Sequence, residues 1–288
     1  MAATSTTVVP PTPSVEVAAP PGPALVGLET PAYVGADARP RARSLAIRAS
    51  VPLLLLGLWW WGAASGHISS DVLASPGKVF DALRELQQTG QLRDFLWASA
   101  VRTLVGVGFG VAVGLSFGIV AGLSKLGEEL VDPTMQMARA VPFLALTPLF
   151  ISWFGIDETF KYLLIGVAAA MPMYAYTYLG VRSVDRRIVE AARGFGLGRW
   201  RLVAEVILPS ALPNVLMALR ISLAISVGAL IAAEQIGTEQ GIGYLVLLAK
   251  QYFRTDYMVL CILLYATLGL AFDLLIRLAE RWAMPWRR

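Results

Sequence analysis

The sequence predicts an all-α, polytopic membrane protein with six transmembrane helices. Hydrophobic residues make up 56% of the 288 residues and charged residues only 15%, against roughly 25% charged in an average soluble domain. The mean hydropathy of +0.62 agrees. From residue 45 onward, six apolar runs each come close to the roughly 20 residues that a spanning helix needs. We therefore take residues 45–288 as a transmembrane domain.

The first 44 residues differ in composition from everything that follows. Eight prolines are interleaved there with alanine, threonine and valine. Such a segment buries too little apolar surface to offset the entropy lost on ordering. It also lacks the basic start and continuous apolar core of a signal peptide. We predict that residues 1–44 form a disordered, proline-rich cytoplasmic tail.

The six apolar runs and the basic residues between them predict a topology. The runs cover residues 47–64, 96–123, 131–154, 160–179, 212–233 and 257–278. Arginines cluster before the first run, between the fourth and fifth, and after the sixth. Because such clusters mark the cytoplasmic side of a membrane, both termini are predicted to be cytoplasmic. A shorter apolar stretch, 244–249, is too short to cross.

The second run carries the clearest packing pattern. Five of its glycines recur every four residues: Gly106, Gly110, Gly114, Gly118 and Gly122. This spacing places them on one helical face and lets another backbone approach closely. No strand precedes them and no acidic residue follows at the spacing that a dinucleotide site needs, so packing is favoured over cofactor binding. Prolines at 142, 148 and 172 interrupt the third and fourth runs, which indicates either plain kinks or a transport pathway.

The polar segment 182–210 between the fourth and fifth runs carries the most specific motif. Residues 190–196 read E-A-A-R-G-F-G, and Val206, Leu208 and Pro209 follow at fixed offsets. We expect a short helix over 188–195, a turn at Gly196, and a second, amphipathic helix that Pro209 ends. Glu190 is expected near the start of the first helix, where the helix dipole favours an acid.

This motif resembles the cytoplasmic signature loop of permease subunits of bacterial ABC importers. Residues 136–149, 153–158, 232–234 and 241–245 are similar to the sulfonate/taurine/nitrate group, and the sequence of 139–146 is most similar to its aliphatic sulfonate branch. The resemblance covers about residues 50–285 and implies the type I importer permease fold (MetI-like). The residues it assigns to ATPase coupling are Glu190, Ala191, Ala192, Gly196, Val206, Leu208 and Pro209, with valine at 206 where isoleucine is usual.

The resemblance also implies an assembly and a location. The chain would pair with an identical copy, two cytoplasmic ABC ATPases, and a periplasmic or lipid-anchored binding protein in the bacterial inner membrane. No phosphate-binding G-x-x-x-x-G-K-[ST] motif occurs in the sequence, so ATP and magnesium are expected on the partner ATPase, with no cofactor on this chain. The implied function is import of a small organic anion, with aliphatic sulfonates preferred over taurine, nitrate or another small metabolite.

A path for such an anion needs hydroxyls or cationic donors and few carboxylates. Candidates within the runs are Arg102, Thr103, Thr147, Ser152, Ser222 and Ser226. Hydroxyls also stabilise helix packing without any ligand, so both interpretations stay open. Arg139 and Arg220 lie near span ends, where arginines commonly reach the headgroups. Glu234 would repel an anion and is expected to fix a helix end by hydrogen bonding.

Other classes of protein fit the sequence less well. A single histidine, His67, and a single cysteine, Cys261, leave little material for a metal site or a catalytic triad. A membrane-embedded enzyme is therefore disfavoured, and no catalytic or metal-binding residue is predicted. The net charge of +4 comes from arginines between apolar runs, which disfavours nucleic-acid binding. A structural or receptor-like membrane protein would explain the arginines of 182–210 as a topology anchor, but not the fixed offsets of the motif.

Overall fold

A computed structural model describes residues 41–284, and for residues 41–46 and 48 it describes the backbone only. The regular structure in this range is helical, as predicted. The helices are Arg41–Ala64 (α1), Pro76–Gln88 (α2), Gln91–Leu123 (α3), Lys125–Ala140 (α4), Thr147–Phe154 (α5), Glu158–Arg182 (α6), Arg186–Gly194 (α7), Arg199–Arg201 (α8), Leu208–Glu234 (α9), Ile242–Gln251 (α10) and Thr255–Ala283 (α11). A 3-10 turn, Phe143–Leu146, precedes α5, and a π-helical segment, Leu202–Ile207, precedes α9.

Two compact units divide the chain after Leu56. The second unit begins at Gly57 and contains α2 to α11, and all of the packing described below lies within it. The predicted tail, residues 1–44, lies outside the described residues except for 41–44, which begin α1. Its disorder therefore stays a prediction.

Four helical stretches in the described range are long and apolar enough to cross a membrane: Gln91–Leu123, Glu158–Arg182, Arg199–Glu234 and Thr255–Ala283. A fifth arises if the bent pair Lys125–Ala140 and Phe143–Phe154 counts as one span. The remaining candidate, Ala49–Ala64, is a shorter apolar helix. The count of six spans and the cytoplasmic termini stay predictions.

The third predicted span, 131–154, is not one straight helix. Its two halves meet at an angle of 87°. The cause is Pro142, because a proline disfavours the helical conformation in the residue before it. Val141 accordingly has φ −82° and ψ 122°, and α4 ends there. Of the prolines predicted to bend helices, Pro142 thus breaks one completely, whereas Pro172 lies inside α6 without ending it.

The glycine face of α3 packs against α6, which confirms the predicted close helix contact. A Cβ atom built on Gly106 would lie 2.6 Å from Cγ2 of Ile165, and one on Gly118 would lie 2.7 Å from Cβ of Thr177. At Gly110 and Gly114, a Cβ atom would overlap backbone carbonyl oxygens of α6. Small residues are therefore required at this interface, as in other closely packed membrane helices.

Helix α2 is fixed to the start of α11 by a partly exposed charge cluster. Arg254 Nη2 donates to Glu85 Oε2 at 3.1 Å and to Asp256 Oδ2 at 2.8 Å. Hydrogen bonds from Tyr257 and Arg254 lower the pKa of Glu85. A carboxyl group with a lowered pKa contributes stability above its unfolded-state pKa and loses it as the pH falls through the folded value. The contribution is small because the Glu85 side chain is 53% exposed.

Candidate functional site

The predicted coupling segment, 182–210, begins with a well-capped helix. The side chain of Asp185 accepts a hydrogen bond from the backbone N–H of Arg187 at 2.9 Å, which caps the start of α7. The helix runs over Arg186–Gly194, close to the predicted 188–195. Glu190 lies in the second turn, so its predicted place near the helix start is wrong. Asp185, one residue before the helix, is the acid at that end.

The turn predicted at Gly196 is confirmed, and its backbone explains the choice of glycine. Gly196 has φ +81°, a left-handed conformation that other residues adopt at a cost. Its N–H donates to the Arg193 carbonyl at 2.9 Å, and the N–H of Leu197 donates to the Ala192 carbonyl at 3.2 Å. This pair of bonds forms a Schellman motif, which satisfies carbonyls that the end of α7 would leave unpaired.

The second helix of the segment does not end at Pro209, contrary to the prediction. Pro209 lies in the first turn of α9, and a single helical stretch, Arg199–Glu234, continues from the loop into the predicted fifth span. The π-helical turn Leu202–Ile207 comes immediately before. A π-helical turn shifts the hydrogen-bond pattern of a helix, so the N–H that proline lacks does not interrupt it. The part of this segment from Arg199 onward is therefore helically continuous with α9, a candidate span.

Most of the predicted coupling residues lie on the surface. Glu190, Ala191, Gly196 and Leu208 are exposed, whereas Ala192, Val206 and Pro209 are partly buried. Two aromatic residues that were not predicted as site residues flank Gly196. Phe195 is 87% exposed and Trp200 is 84% exposed. Large exposed aromatic side chains in a polar segment are typical of protein interfaces. The presence of Phe195 and Trp200 in a polar stretch of the sequence was therefore the signal that could have identified them as site residues.

A buried charge cluster joins α3, α6, α9 and α10. Arg102 donates from Nε and Nη2 to the two carboxylate oxygens of Glu158, both at 2.8 Å. From Nη1 it donates to Glu234 Oε1 at 2.8 Å and to the Gln240 carbonyl at 2.6 Å. Lys161 Nζ donates to Glu158 Oε1 at 2.9 Å. Two cations and two carboxylates thus balance within the cluster.

Glu234 is the centre of this cluster and is fully buried. It accepts from the Ser99 hydroxyl at 2.8 Å and from the backbone N–H of Gly243 at 2.8 Å. The Ser99 oxygen in turn accepts from the N–H of Ile242 at 2.9 Å. The first N–H groups of α10 are therefore held by α3 and α9, which is the helix-end role expected for Glu234.

The predicted path residues are placed on three different elements. Arg102 and Thr103 lie on α3, Thr147 and Ser152 on α5, and Ser222 and Ser226 on α9. The hydroxyl of Thr103 donates to the Ser99 carbonyl, and that of Ser222 to the Ala169 carbonyl, both at 2.8 Å. The Ser226 hydroxyl is buried without a partner among the described residues. Because two carboxylates occupy the donors of Arg102, the geometry favours a structural role for that arginine.

Comparison with known proteins decides the family. The sequence profile of the binding-protein-dependent transport system inner membrane component family matches residues 110–284. The chain belongs to this family. It is 42% identical over 236 residues to the aliphatic sulfonates transport permease protein SsuC of Escherichia coli (strain K12), covering 82% of this chain and 90% of that protein.

Two further relatives are also named as transport permeases. The chain is 39% identical to the aliphatic sulfonates permease SsuC of Bacillus subtilis (strain 168), covering 82% of this chain and 86% of that protein. It is 34% identical to the taurine transport system permease protein TauC of Escherichia coli (strain K12), covering 86% of this chain and 92% of that protein.

Solved structures show the fold. An amino acid ABC transporter matches with a TM-score of 0.58 and 21% identity, covering 69% of this chain and 97% of that chain. The methionine ABC transporter MetNI matches with a TM-score of 0.55 and 21% identity, covering 65% and 94%. The predicted type I importer permease fold is confirmed. As a member of the family, this chain is a multi-pass inner membrane transport subunit that works with a binding protein and a separate ATPase.

Proposed function

We propose that this chain is the permease of an ATP-driven importer that carries aliphatic sulfonates into the cytoplasm. The observation that carries the proposal is the pair of aliphatic sulfonates permeases, at 42% and 39% identity over most of this chain. The taurine permease, at 34%, supports the second candidate, because taurine is itself a small sulfonate. Both candidates agree with the predicted substrate class of small organic anions.

The proposed assembly contains two copies of this chain, two cytoplasmic ATPases that bind ATP and magnesium, and one periplasmic or lipid-anchored binding protein. The coupling segment supports the ATPase contact. Its exposed aromatic residues, Phe195 and Trp200, lie on either side of a fixed turn, and the following helix continues into a candidate span. A movement of the ATPase at Trp200 would therefore be transmitted to α9 along one helical stretch.

The turn at Gly196 provides a test of coupling. Valine there must adopt φ +81°, which β-branched residues strongly disfavour, although no atom lies within 4 Å of the added Cβ position. We expect Gly196→Val to leave insertion intact and to lower transport-coupled ATP hydrolysis at least about tenfold, which corresponds to about 1.4 kcal/mol. The measurement is binding-protein-stimulated ATPase activity of the reconstituted complex.

Gly198→Val is the matched control, because Gly198 has an ordinary extended backbone (φ −68°) and also has free space around its Cβ position. It should retain most of the stimulated activity. Equal activity in the two variants would show that the turn at Gly196 does not contribute to coupling.

Growth of a deletion strain tests which substrate the importer carries. We expect the strain to fail on alkanesulfonates as sole sulfur source and to grow on sulfate, because sulfate would enter by another route. Restoring the gene should restore growth. Normal growth on alkanesulfonates, with loss of taurine or nitrate use, would assign the chain to a sister branch of the group.

A further inference from the structure

A cavity of about 390 Å³ lies where the third predicted span breaks. The end of α4 and the bend at Pro142 form one wall, the middle of α6 around Pro172 forms another, and Ile221 and Ile225 of α9 complete it. Its volume is at the lower end of the roughly 300–1,000 Å³ that small-molecule sites occupy. Two of the three prolines that interrupt the predicted spans, Pro142 and Pro172, thus line one cavity.

The polar groups of this cavity are few and suit an anion. Arg139, which is exposed, and Tyr176, which is partly buried, both line it. Among the side chains that the structure describes, neither has a hydrogen-bond or ion-pair partner. No carboxylate is among the described residues that line the cavity. The contrast with Arg102 is direct, because that guanidinium is neutralised by two carboxylates whereas the charge of Arg139 is not.

The rest of the lining is apolar, which suits an alkyl chain. Phe143, Val167, Met171 and the two isoleucines of α9 surround the space beside the arginine. An alkanesulfonate has one permanently charged head, which an arginine and a hydroxyl can bind by charge-assisted hydrogen bonds. Its tail gains from leaving water for an apolar wall. Nitrate would use the arginine but leave the apolar part of the cavity unfilled.

We propose that this cavity holds the alkanesulfonate during its passage, with the sulfonate at Arg139 and Tyr176 and the alkyl chain toward α9. This inference rests on the proposed function and adds the site to it. It differs from the path predicted from the sequence, in which Arg139 was interpreted as a headgroup contact and Arg102 as the cationic candidate.

The test uses the complete transporter, with its ATPase and binding protein, in proteoliposomes. Uptake of ethanesulfonate and octanesulfonate is measured with the loaded binding protein at saturation. The binding protein is the same for every variant, so the ratio of variant to wild-type uptake measures the effect of the permease substitution alone. Arg139→Gln should lower the uptake of both substrates at least tenfold. Lys125→Gln, at the other end of α4 and outside the cavity, should retain wild-type uptake.

Chain-length preference separates a binding role from a structural one. Ala138 lines the cavity and Ala140 does not. Ala138→Phe should reduce the ratio of octanesulfonate to ethanesulfonate uptake at least fivefold, because the ring occupies space for the longer chain. Ala140→Phe should leave this ratio unchanged. If Ala138→Phe does not assemble, Tyr176→Phe, which removes one hydroxyl only, should lower uptake of both substrates about threefold.

The possible outcomes separate a failure of the proposed substrate site from a failure of the proposed function. If the wild-type transporter carries neither sulfonate, the proposed function fails. If it carries both, and Arg139→Gln retains full uptake or the chain-length ratio is the same in Ala138→Phe and Ala140→Phe, the proposed function stands and the cavity is not the substrate site.

Discussion

Replacing Gly110 with leucine is expected to destabilise the transmembrane domain strongly. A Cβ atom at this position already overlaps the carbonyl oxygen of Gly166, and leucine adds three more carbon atoms. Overpacking of a tight interface costs typically 1–3 kcal/mol and more where backbone must move, so we expect a loss of about 3 kcal/mol or more. The corresponding fall in the melting temperature of the purified protein is roughly 10 °C.

Gly108→Leu is the control, since Gly108 lies on the same helix and no atom lies within 4 Å of its Cβ position. It should fold and melt close to the wild type. A melting temperature for Gly110→Leu equal to that of Gly108→Leu would contradict the close packing of α3 against α6.

Removing Arg102 is expected to destabilise the protein by about 3 kcal/mol, because breaking a buried ion pair leaves an uncompensated charge. Glu234 is fully buried and would lose its guanidinium partner, whereas the half-exposed Glu158 would keep Lys161. Arg102→Ala combined with Glu234→Gln should recover part of this loss, since an amide carries no charge to bury. The stability of the single and the double variant is measured by chemical or thermal unfolding in detergent.

An exposed ion pair offers the comparison. Arg277 is 61% exposed and bonds Asp273 at 2.7 Å, so Arg277→Ala should cost only about 0–1 kcal/mol. If Arg102→Ala retained wild-type stability but lost uptake, Arg102 would act on the substrate, as the sequence analysis allowed.

Local patterns in the sequence predicted the parts of this fold that depend on local chemistry. Glycines four residues apart lie on one helical face whatever surrounds them, so the α3 contact could be predicted although its partner, α6, could not. Pro142 restricts its own neighbour, which made a bend predictable but not its size of 87°. Gly196 was predictable because a left-handed turn selects for glycine.

Features that depend on distant residues could not be predicted. Glu158 and Glu234 lie 56 and 132 positions from Arg102, and no periodicity connects them. Arg102 was therefore kept as a candidate for the substrate path. Likewise, a proline often ends a helix, yet Pro209 lies in the first turn of α9, directly after the π-helical turn Leu202–Ile207, and the helix continues from the loop. The cavity beside Arg139 arises from three helices that meet at the break, which no single segment encodes.

Uptake by the reconstituted transporter tests the central claim most directly. Proteoliposomes would contain this chain, its ATPase and its binding protein, and uptake of labelled ethanesulfonate would be measured with and without ATP. We predict uptake that requires both ATP and the binding protein and that other alkanesulfonates inhibit more strongly than taurine or nitrate. Uptake of taurine or nitrate without any uptake of ethanesulfonate would contradict the assignment, as would ethanesulfonate entry that is independent of ATP.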